Sequence, residues 1–263
     1  MARNSIDISA RRTAGERPER DRLDQILVRF GLYESRSRAR DAIARGAVSV
    51  DGKTITKPGA VVSASVAIEI SDPAKTYVSR AALKLVAGLE AFGFDPDGLN
   101  CLDIGASTGG FTQALLERGA AYVTAVDVGH GQMHPDLAAD ARVANLEGLN
   151  ARDLLATHLD GRRIGAVVSD VSFISLRLAL PPALALAAPG AFAVLLVKPQ
   201  FEAGRAAIGK GGILKDPSLG PQIARDLAAW LDTIEGWRAT GPIPSPIAGG
   251  DGNQEFLIGG LKS

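Results

Sequence analysis

The sequence predicts an α/β fold for residues 79–263: a mostly parallel sheet covered by helices on both faces, with an antiparallel strand at one edge. A small α+β module is expected ahead of it, over residues 21–74. Three observations carry this. From residue 80 onward, short apolar runs alternate with segments of helical periodicity. A glycine-rich turn, Gly105 to Gly110, lies between one such run and the next helix. Before residue 75, two short helical patterns precede an alternating stretch folded around Asp51-Gly52.

Residues 1–20 are charged and poor in apolar anchors, and are expected to be a disordered basic tail. Leu23, Ile26, Leu27 and Phe30 recur at helical spacing, and Gly31 can end that helix. Ser35 or Ser37 can cap a second helix that runs through Ala39, Ala42 and Ile43 to Gly46. Ala47 to Ile55 alternates around Asp51-Gly52, a strong hairpin signal. Val61 to Ile70 supplies further short strands. Residues 75–78 read as a linker.

Ser79 is placed to cap a helix from Arg80 to Phe92. Then come a strand at 100–104, a helix at 110–118, and strands at 122–126, 143–146 and 164–169. A helix at 175–188, a strand at 191–197 and a helix at 217–234 follow. Trp237 to Gly241 and Glu255 to Gly260 are joined by a Pro/Gly-rich stretch and can pair antiparallel. Strands separated by helices give the parallel sheet its Rossmann-like character.

At 263 residues, 46% apolar and 22% charged, the chain has the composition of an ordinary soluble protein. Its net charge is zero but unevenly divided. Residues 1–80 hold 15 Lys+Arg against 10 Asp+Glu, and the remainder 14 against 19. A basic front half suggests a polyanionic partner. The single cysteine, Cys101, excludes a disulfide framework and a cysteine zinc site, and fits a reducing cytoplasm. Three scattered histidines make no metal cluster, so no metal is expected. The Arg-rich start lacks the apolar core of a secretory signal. Prolines and a glycine interrupt the longest apolar stretch, Leu178 to Val197, so it is not a membrane span.

The turn reads L-D-I-G-A-S-T-G-G-F-T over residues 102–112. Its glycine spacing is not the dinucleotide G-x-G-x-x-G. Asp103, two residues before the first glycine, suits a ligand with a positively charged amino-acid end: S-adenosylmethionine (AdoMet). Asp127 ends the next apolar run, where an acid takes ribose hydroxyls. Four further charges interrupt apolar context: Lys84 in the helix before the turn, Asp170 and Lys198 closing two apolar runs, and Glu255 opening the last strand. Ligands of open α/β sheets bind beyond the carboxyl ends of the strands, so Asp170 and Lys198 should face the same crevice as Gly105 and Asp127. The near-P-loop Gly204 to Gly211 has glycine where the magnesium-binding hydroxyl belongs. It reads as a mobile loop on the substrate side.

Residues 22–27 (R-L-D-Q-I-L), 35–40 (S-R-S-R-A-R), 43–48 (I-A-R-G-A-V) and 50–53 (V-D-G-K) resemble the S4 domain, a small RNA-binding module. That resemblance and the local charge point to Arg22, Arg36, Arg38, Arg40, Arg45 and Lys53 as phosphate contacts. From Tyr77 on, the chain resembles the FtsJ-type RNA ribose 2′-O-methyltransferases, and with the S4 module in front, the TlyA family of ribosomal RNA methyltransferases with an old haemolysin label. The matching strings are Y-V-S-R-A-A-L-K-L (77–85), the glycine turn, V-D-V-G-H-G-Q (126–132), N-A-R-D-L (150–154), V-S-D-V-S-F-I-S-L (168–176), L-V-K-P-Q-F-E (196–202) and G-N-Q-E-F (252–256).

The resemblance implies a Lys-Asp-Lys-Glu catalytic tetrad at Lys84, Asp170, Lys198 and Glu255. A ribose hydroxyl is a weak acid and must lose its proton as it attacks the methyl, so a base is needed, and Lys198 is the expected one. Cofactor contacts are expected from Asp103, Gly105, Ala106, Ser107, Gly109, Phe111, Asp127, Asn150, Ala151 and Asp153. Asn150 is alternatively a helix cap. Arg80, Arg205 and Lys210 are expected near RNA phosphates. The implied activity is AdoMet-dependent 2′-O-methylation of ribosomal RNA by a cytoplasmic monomer. The competing reading is a non-catalytic RNA-binding or ribosome-assembly factor. A membrane-lytic role has no support in the sequence.

Overall fold

The computed structural model describes residues 4–7, 20–63, 66–250 and 252–263. The chain divides into two compact units, Met1–Lys75 and Thr76–Ser263.

In the first unit, β1 (Asn4–Asp7), β2 (Arg20–Arg22), α1 (Leu23–Arg29), α2 (Arg36–Ala44), β3 (Val48–Val50), β4 (Lys53–Thr54), β5 (Val61–Ser63) and β6 (Ala67–Ile70) follow in order. The main sheet has the order β1-β6-β3-β4, and β2 pairs with β5. Asp51 and Gly52 both take positive φ (48° and 77°), the conformation that a two-residue hairpin between β3 and β4 requires. Ser35 caps α2 by accepting Arg38 N–H at 3.3 Å. Leu23, Ile26 and Leu27 of α1 meet Ala39, Ala42 and Ile43 of α2 over Val48, Val50 and Ile68 in one buried core. The disordered tail needs correcting at Asn4–Asp7. That segment is a strand, antiparallel to β6 with Ile6 opposite Ile68. Backbone pairing along a sheet edge supplies the order that local composition lacks. The rest of the tail, 1–3 and 8–19, lies outside the described residues.

The second unit runs through α3 (Ala82–Phe92), β7 (Asn100–Ile104), α4 (Gly110–Glu117), β8 (Tyr122–Asp127), α5 (Pro135–Ala138), β9 (Val143–Glu147) and β10 (Ile164–Ser169). It continues with α6 (Leu176–Ala179), α7 (Pro181–Leu186), β11 (Ala187–Val197), α8 (Pro199–Glu202), α9 (Leu219–Leu231), β12 (Trp237–Pro244) and β13 (Phe256–Lys262). The seven strands have the order β12-β13-β11-β10-β7-β8-β9. The central pairings are parallel, and β13 is antiparallel to both β11 and β12. The reversed strand is therefore one place in from the edge. This is the mostly parallel Rossmann-like sheet that the sequence predicts.

Two-residue alternation splits the sheet's side chains between two cores. Ala191, Ala193, Leu195 and Val197 of β11 face the helices α6, α7 and α9, with Leu102, Ile104 and Val167. Phe192, Val194 and Leu196 face the other way, toward Leu85 and Leu89 of α3 and Phe111 and Leu115 of α4. The helix expected over 175–188 is two helices. Pro181 and Pro182 occupy the first turn of α7, where missing N–H groups cost nothing, and α6 ends before them. The helix expected from Arg80 starts at Ala82, because Ser79 Oγ accepts Ala81 N–H at 3.2 Å in the turn ahead of it. Strand β11 begins at Ala187, four residues earlier than its apolar run suggests.

Candidate active site

The glycine turn sits where β7 ends. Gly105 N–H and Ala106 N–H both donate to Val126 O of β8, at 2.8 and 3.2 Å. Gly105 and Gly109 adopt φ of +86° and +94°, open to glycine at little cost. A side chain at Gly105 would collide with the backbone of Asp170 and Val171 at 2.9–3.0 Å, and one at Gly109 with Leu137. The glycines thus serve the protein's own packing as well as access. They bring the turn flush against the loop that carries Asp170, whose N–H donates to Ile104 O at 3.0 Å. A cleft there is lined by Ser79, Ala81, Gly105 to Thr108, Gly110, Phe111 and Asp170.

Alternation along β7 turns Asp103 toward α4. It is wholly buried, and Thr112 Oγ1 donates to its Oδ2 at 2.7 Å. Among the described residues its Oδ1 has no hydrogen-bond partner. Burial, with a smaller push from the charges of Asp170 and Asp127, raises its carboxyl to about 7 against the Thr112 hydrogen bond. Asp127 spends its two oxygens on the backbone, accepting Ser107 N–H at 2.8 Å and Gly129 N–H at 2.7 Å. The loop that follows is fastened by Glu147, at the end of β9. Its carboxylate takes the N–H groups of Gly131, Gln132 and Met133. Those bonds, led by Gly131 and Met133, lower it to about 2. Three carboxylates, Asp103, Asp127 and Asp170, thus converge on the turn. One is buried with an unsatisfied oxygen, so the site fits a ligand carrying positive charge and hydroxyls. AdoMet, with its ammonium, sulfonium and ribose, answers that description.

The four charges form two ion pairs at the same end of the sheet. Asp170 Oδ1 lies 2.6 Å from Lys198 Nζ, and the side chains are 16% and 11% exposed. The approach lies off the hydrogen-bonding direction of the carboxylate. Lys198 Nζ donates instead to Ser172 Oγ at 2.7 Å and more weakly to Asp170 O at 3.4 Å. Lys84, 6% exposed on α3, donates to Glu255 Oε2, 2% exposed. Gly88, one turn along α3, leaves no room for a Cβ against Val194 of β11, and this close seating brings Lys84 to the strand ends.

Other expected residues lie elsewhere. Asn150 caps the short turn Ala151–Asp153, accepting Arg152 N–H at 3.1 Å. Ala151 packs against the α6–α7 core and Asp153 is exposed. None of the three lines the cleft, nor do Asp103, Gly109 and Asp127, whereas Gly105, Ala106, Ser107 and Phe111 do. In the first unit, Arg22 and Arg36 pair with the buried Asp24 at 3.0 and 3.1 Å. Arg38 reaches Glu34 at 3.3 Å. Arg45 holds Asp41 and the buried Asp72 at 3.0 and 2.8 Å. Arg40 and Lys53 are exposed. Arg80 reaches toward Gly250, while Arg205 and Lys210 stand exposed on short turns of the 204–212 loop. That segment is not a strand–loop–helix phosphate cradle. Among the described residues no group of three His, Cys, Asp or Glu is placed to hold a metal. No described helix is long and apolar enough to cross a membrane.

Sequence reasoning missed Thr112, Glu147, Ser172, Phe173 and Glu202. Phe173 is 89% exposed with φ +66°, a conformation a phenylalanine rarely takes, three residues beyond Asp170. Its signal was an aromatic in a loop directly after a strand-end acid.

An FtsJ-like methyltransferase description matches residues 77–262, and an S4 domain matches 21–68. The chain is 45% identical over 240 residues to the 16S/23S rRNA (cytidine-2′-O)-methyltransferase TlyA of Mycobacterium tuberculosis, covering 91% of this chain and 89% of that one. The chain belongs to the TlyA family. Its relatives include Hemolysin A of Brachyspira hyodysenteriae, 40% identical over 90% of this chain and 98% of that one. A solved structure from Streptococcus thermophilus that carries a haemolysin name superposes with a TM-score of 0.70, at 37% identity, over 94% of this chain and 89% of its own. The TlyA family joins an S4 domain to an AdoMet-dependent methyltransferase sheet, which is the two-unit order seen here.

Proposed function

We propose that this protein methylates the 2′-hydroxyl of a cytidine ribose in ribosomal RNA, in the cytoplasm, and that Lys84, Asp170, Lys198 and Glu255 act together in the transfer. One observation carries the chemical part. Two lysine–carboxylate pairs meet at the strand ends beside a turn that gathers three carboxylates. Burying an ion pair often costs more in desolvation than the pair returns, so packing alone does not account for two amines and two acids there. The named relatives support the substrate class.

Bound in the cleft, AdoMet would supply an electrophilic methyl on a sulfonium. Asp103, wholly buried against α4, would act on its ammonium at a distance and Asp127 would hold its ribose. The chain's own residues supply the rest. Asp170 lines the cleft and holds Lys198 at its rim. Lys198 Nζ is the group that takes the proton of the 2′-hydroxyl while that oxygen attacks the methyl. Lys84 and Glu255, almost out of solvent, fix the neighbouring strand end and steady the ribose against it. Phe173 offers an exposed ring beside this group on which an unstacked base can lie. The S4 unit docks the RNA through Arg40, Lys53 and their neighbours.

The test is transfer of labelled methyl from AdoMet to ribosomal subunits, with the marks mapped by resistance of the modified ribose to alkaline cleavage. The parent protein is expected to leave a 2′-O-methyl cytidine and Lys198→Ala to leave none. A parent that binds subunits yet transfers no methyl would support the assembly-factor reading instead.

A further inference from the structure

The loop after β10 and the turn after β11 are fastened to each other by more than the Lys198–Asp170 pair. Lys198, Phe201 and Glu202 are spaced i, i+3 and i+4, so they share one face of the turn that becomes α8. Each meets a successive point on the opposing loop. Lys198 contacts Asp170 and Ser172. The Phe201 ring lies 5.0 Å from the Phe173 ring. Glu202 accepts two bonds: Ser175 Oγ–H at 2.6 Å on one carboxylate oxygen and Leu176 N–H at 2.8 Å on the other. Ser175 is also the cap of α6, its Oγ accepting Arg177 N–H at 3.2 Å, so this end of the loop is tied to a helix and not to another loop.

The two loops thus close like a zipper with three teeth. The Lys198 tooth is the reactive one, and the Phe173 tooth is a strained, exposed ring that needs outside support to keep its geometry. The Glu202 tooth consists of two short, directed hydrogen bonds, one of them to a backbone amide that cannot swing away.

We infer that Glu202 is a positioning residue for methyl transfer: by pinning Ser175 and Leu176 to α8, it holds the 170–175 loop so that Asp170 and Ser172 keep Lys198 Nζ aimed at the cleft. It touches neither substrate nor cofactor. Its work is geometric, not a matter of charge, and this separates it from the tetrad. The inference rests on the methyltransferase reading above, but part of its test does not.

A glutamine at position 202 can keep both bonds. Its Oε1 accepts Leu176 N–H, and its Nε2 donates to Ser175 Oγ once that hydroxyl rotates. Glu202→Gln is therefore expected to retain kcat within about threefold, whereas Glu202→Ala loses at least about tenfold in kcat. AdoMet affinity, measured by calorimetry, is expected to stay within about twofold in both, since the glycine turn is untouched. The independent readout is the NMR signal of Lys198 in protein labelled at lysine Cε, assigned by its loss in Lys198→Arg. In Glu202→Ala it is expected to move toward its position in Asp170→Asn, and in Glu202→Gln to stay. Should Glu202→Ala fail to fold, Ser175→Ala removes one of the two bonds and is expected to move the signal part-way and lower kcat less. A Lys198 signal unmoved in the truncated variants, or a glutamine variant as inactive as the alanine, would overturn the inference. A parent enzyme that transfers no methyl would overturn the functional reading, and the Lys198 signal would then decide the role of Glu202 by itself.

Discussion

Lys198 and Glu255 stand side by side, each one residue beyond the last pair of the antiparallel β11–β13 ladder, Val197 opposite Phe256. They are opposite in charge and adjacent in register, yet each turns to another partner: Lys198 to Asp170, Glu255 to Lys84. The site is therefore two pairs at the strand ends, one holding Asp170 of the cleft and the other, Lys84 with Glu255, almost wholly buried. This division predicts different failures when each is cut. Lys198→Ala leaves Asp170 16% exposed and able to recruit water, so it should fold and bind AdoMet like the parent while methyl transfer to rRNA falls below detection.

The Lys84–Glu255 pair should fail through stability as well. Glu255→Ala leaves a lysine charge in a site 6% exposed, and breaking a buried pair costs about 3–5 kcal/mol, or on the order of 10 °C in Tm for a unit of this size. Replacing both partners with methionine removes the stranded charge. The double variant is expected to recover most of the lost Tm and none of the activity. Recovery of both would mean that the pair holds the fold and plays no part in the transfer.

Asp103 makes stability depend on pH in a direction unusual for a carboxylate. Burial raises it to about 7 in the folded protein, against an ordinary value of 3.8. Between those values the native state keeps a proton that the unfolded chain has released. Its contribution is full below the lower value and is lost as pH rises through about 7. Asp103→Asn has no such proton. Urea unfolding is expected to show the asparagine variant gaining on the parent by on the order of 3 kcal/mol between about pH 5 and pH 8. A difference that stays flat over that range would mean that Asp103 is ionised throughout.

Most of the architecture could be read from local pattern. Strands β7, β8 and β10 and helices α4 and α9 follow from apolar periodicity, and the Asp51-Gly52 hairpin from two residues that tolerate positive φ. What escaped was non-local. The pairing of Asn4–Asp7 with β6 cannot be seen in a charged segment. The split of the 175–188 helix turns on whether Pro181 opens a helix or ends one, and both are compatible with the sequence. At the site, the four charges stood out because they break apolar runs at strand ends. Which lysine takes which acid was not legible, since it depends on how closely Gly88 lets α3 approach the sheet. The same limit hid the acids under the arginines of the first unit: Arg22 and Arg36 pair with the buried Asp24, and Arg45 with the buried Asp72.

Phe173 has a left-handed backbone that a phenylalanine rarely takes, and the residue is 89% exposed. A glycine there relieves the strain at a cost of little buried area. Phe173→Gly is expected to be as stable as the parent or more so, by up to roughly 1 kcal/mol, because the strained conformation is open to glycine. Against that gain, rRNA methylation should fall at least about tenfold in kcat/KM, since stacking on an aromatic is worth ~1–3 kcal/mol per base. Phe173→Trp should restore the rate. A glycine variant with parental activity would leave the ring without a role.

The basic residues of the first unit separate into those paired with buried acids and those left exposed. Arg45 fastens Asp72, whose side chain is 1% exposed. Burial pushes the Asp72 carboxyl up, but hydrogen bonds from Arg45 and Tyr33 hold it below its ordinary value. Arg45→Ala strands that carboxylate and should lower the stability of the unit by several kcal/mol, on the order expected when a buried pair loses one partner. Arg40 and Lys53 are exposed, and replacing either with alanine should leave unfolding unchanged. Each is instead expected to weaken rRNA binding and to reduce the slope of log affinity against log salt by about 0.7–0.9, the change due to one lost phosphate contact. If the Arg40→Ala and Lys53→Ala variants bind with the parental slope, the RNA lies on another face, and the exposed Lys57, shortly after the hairpin's second strand, is the next position to substitute.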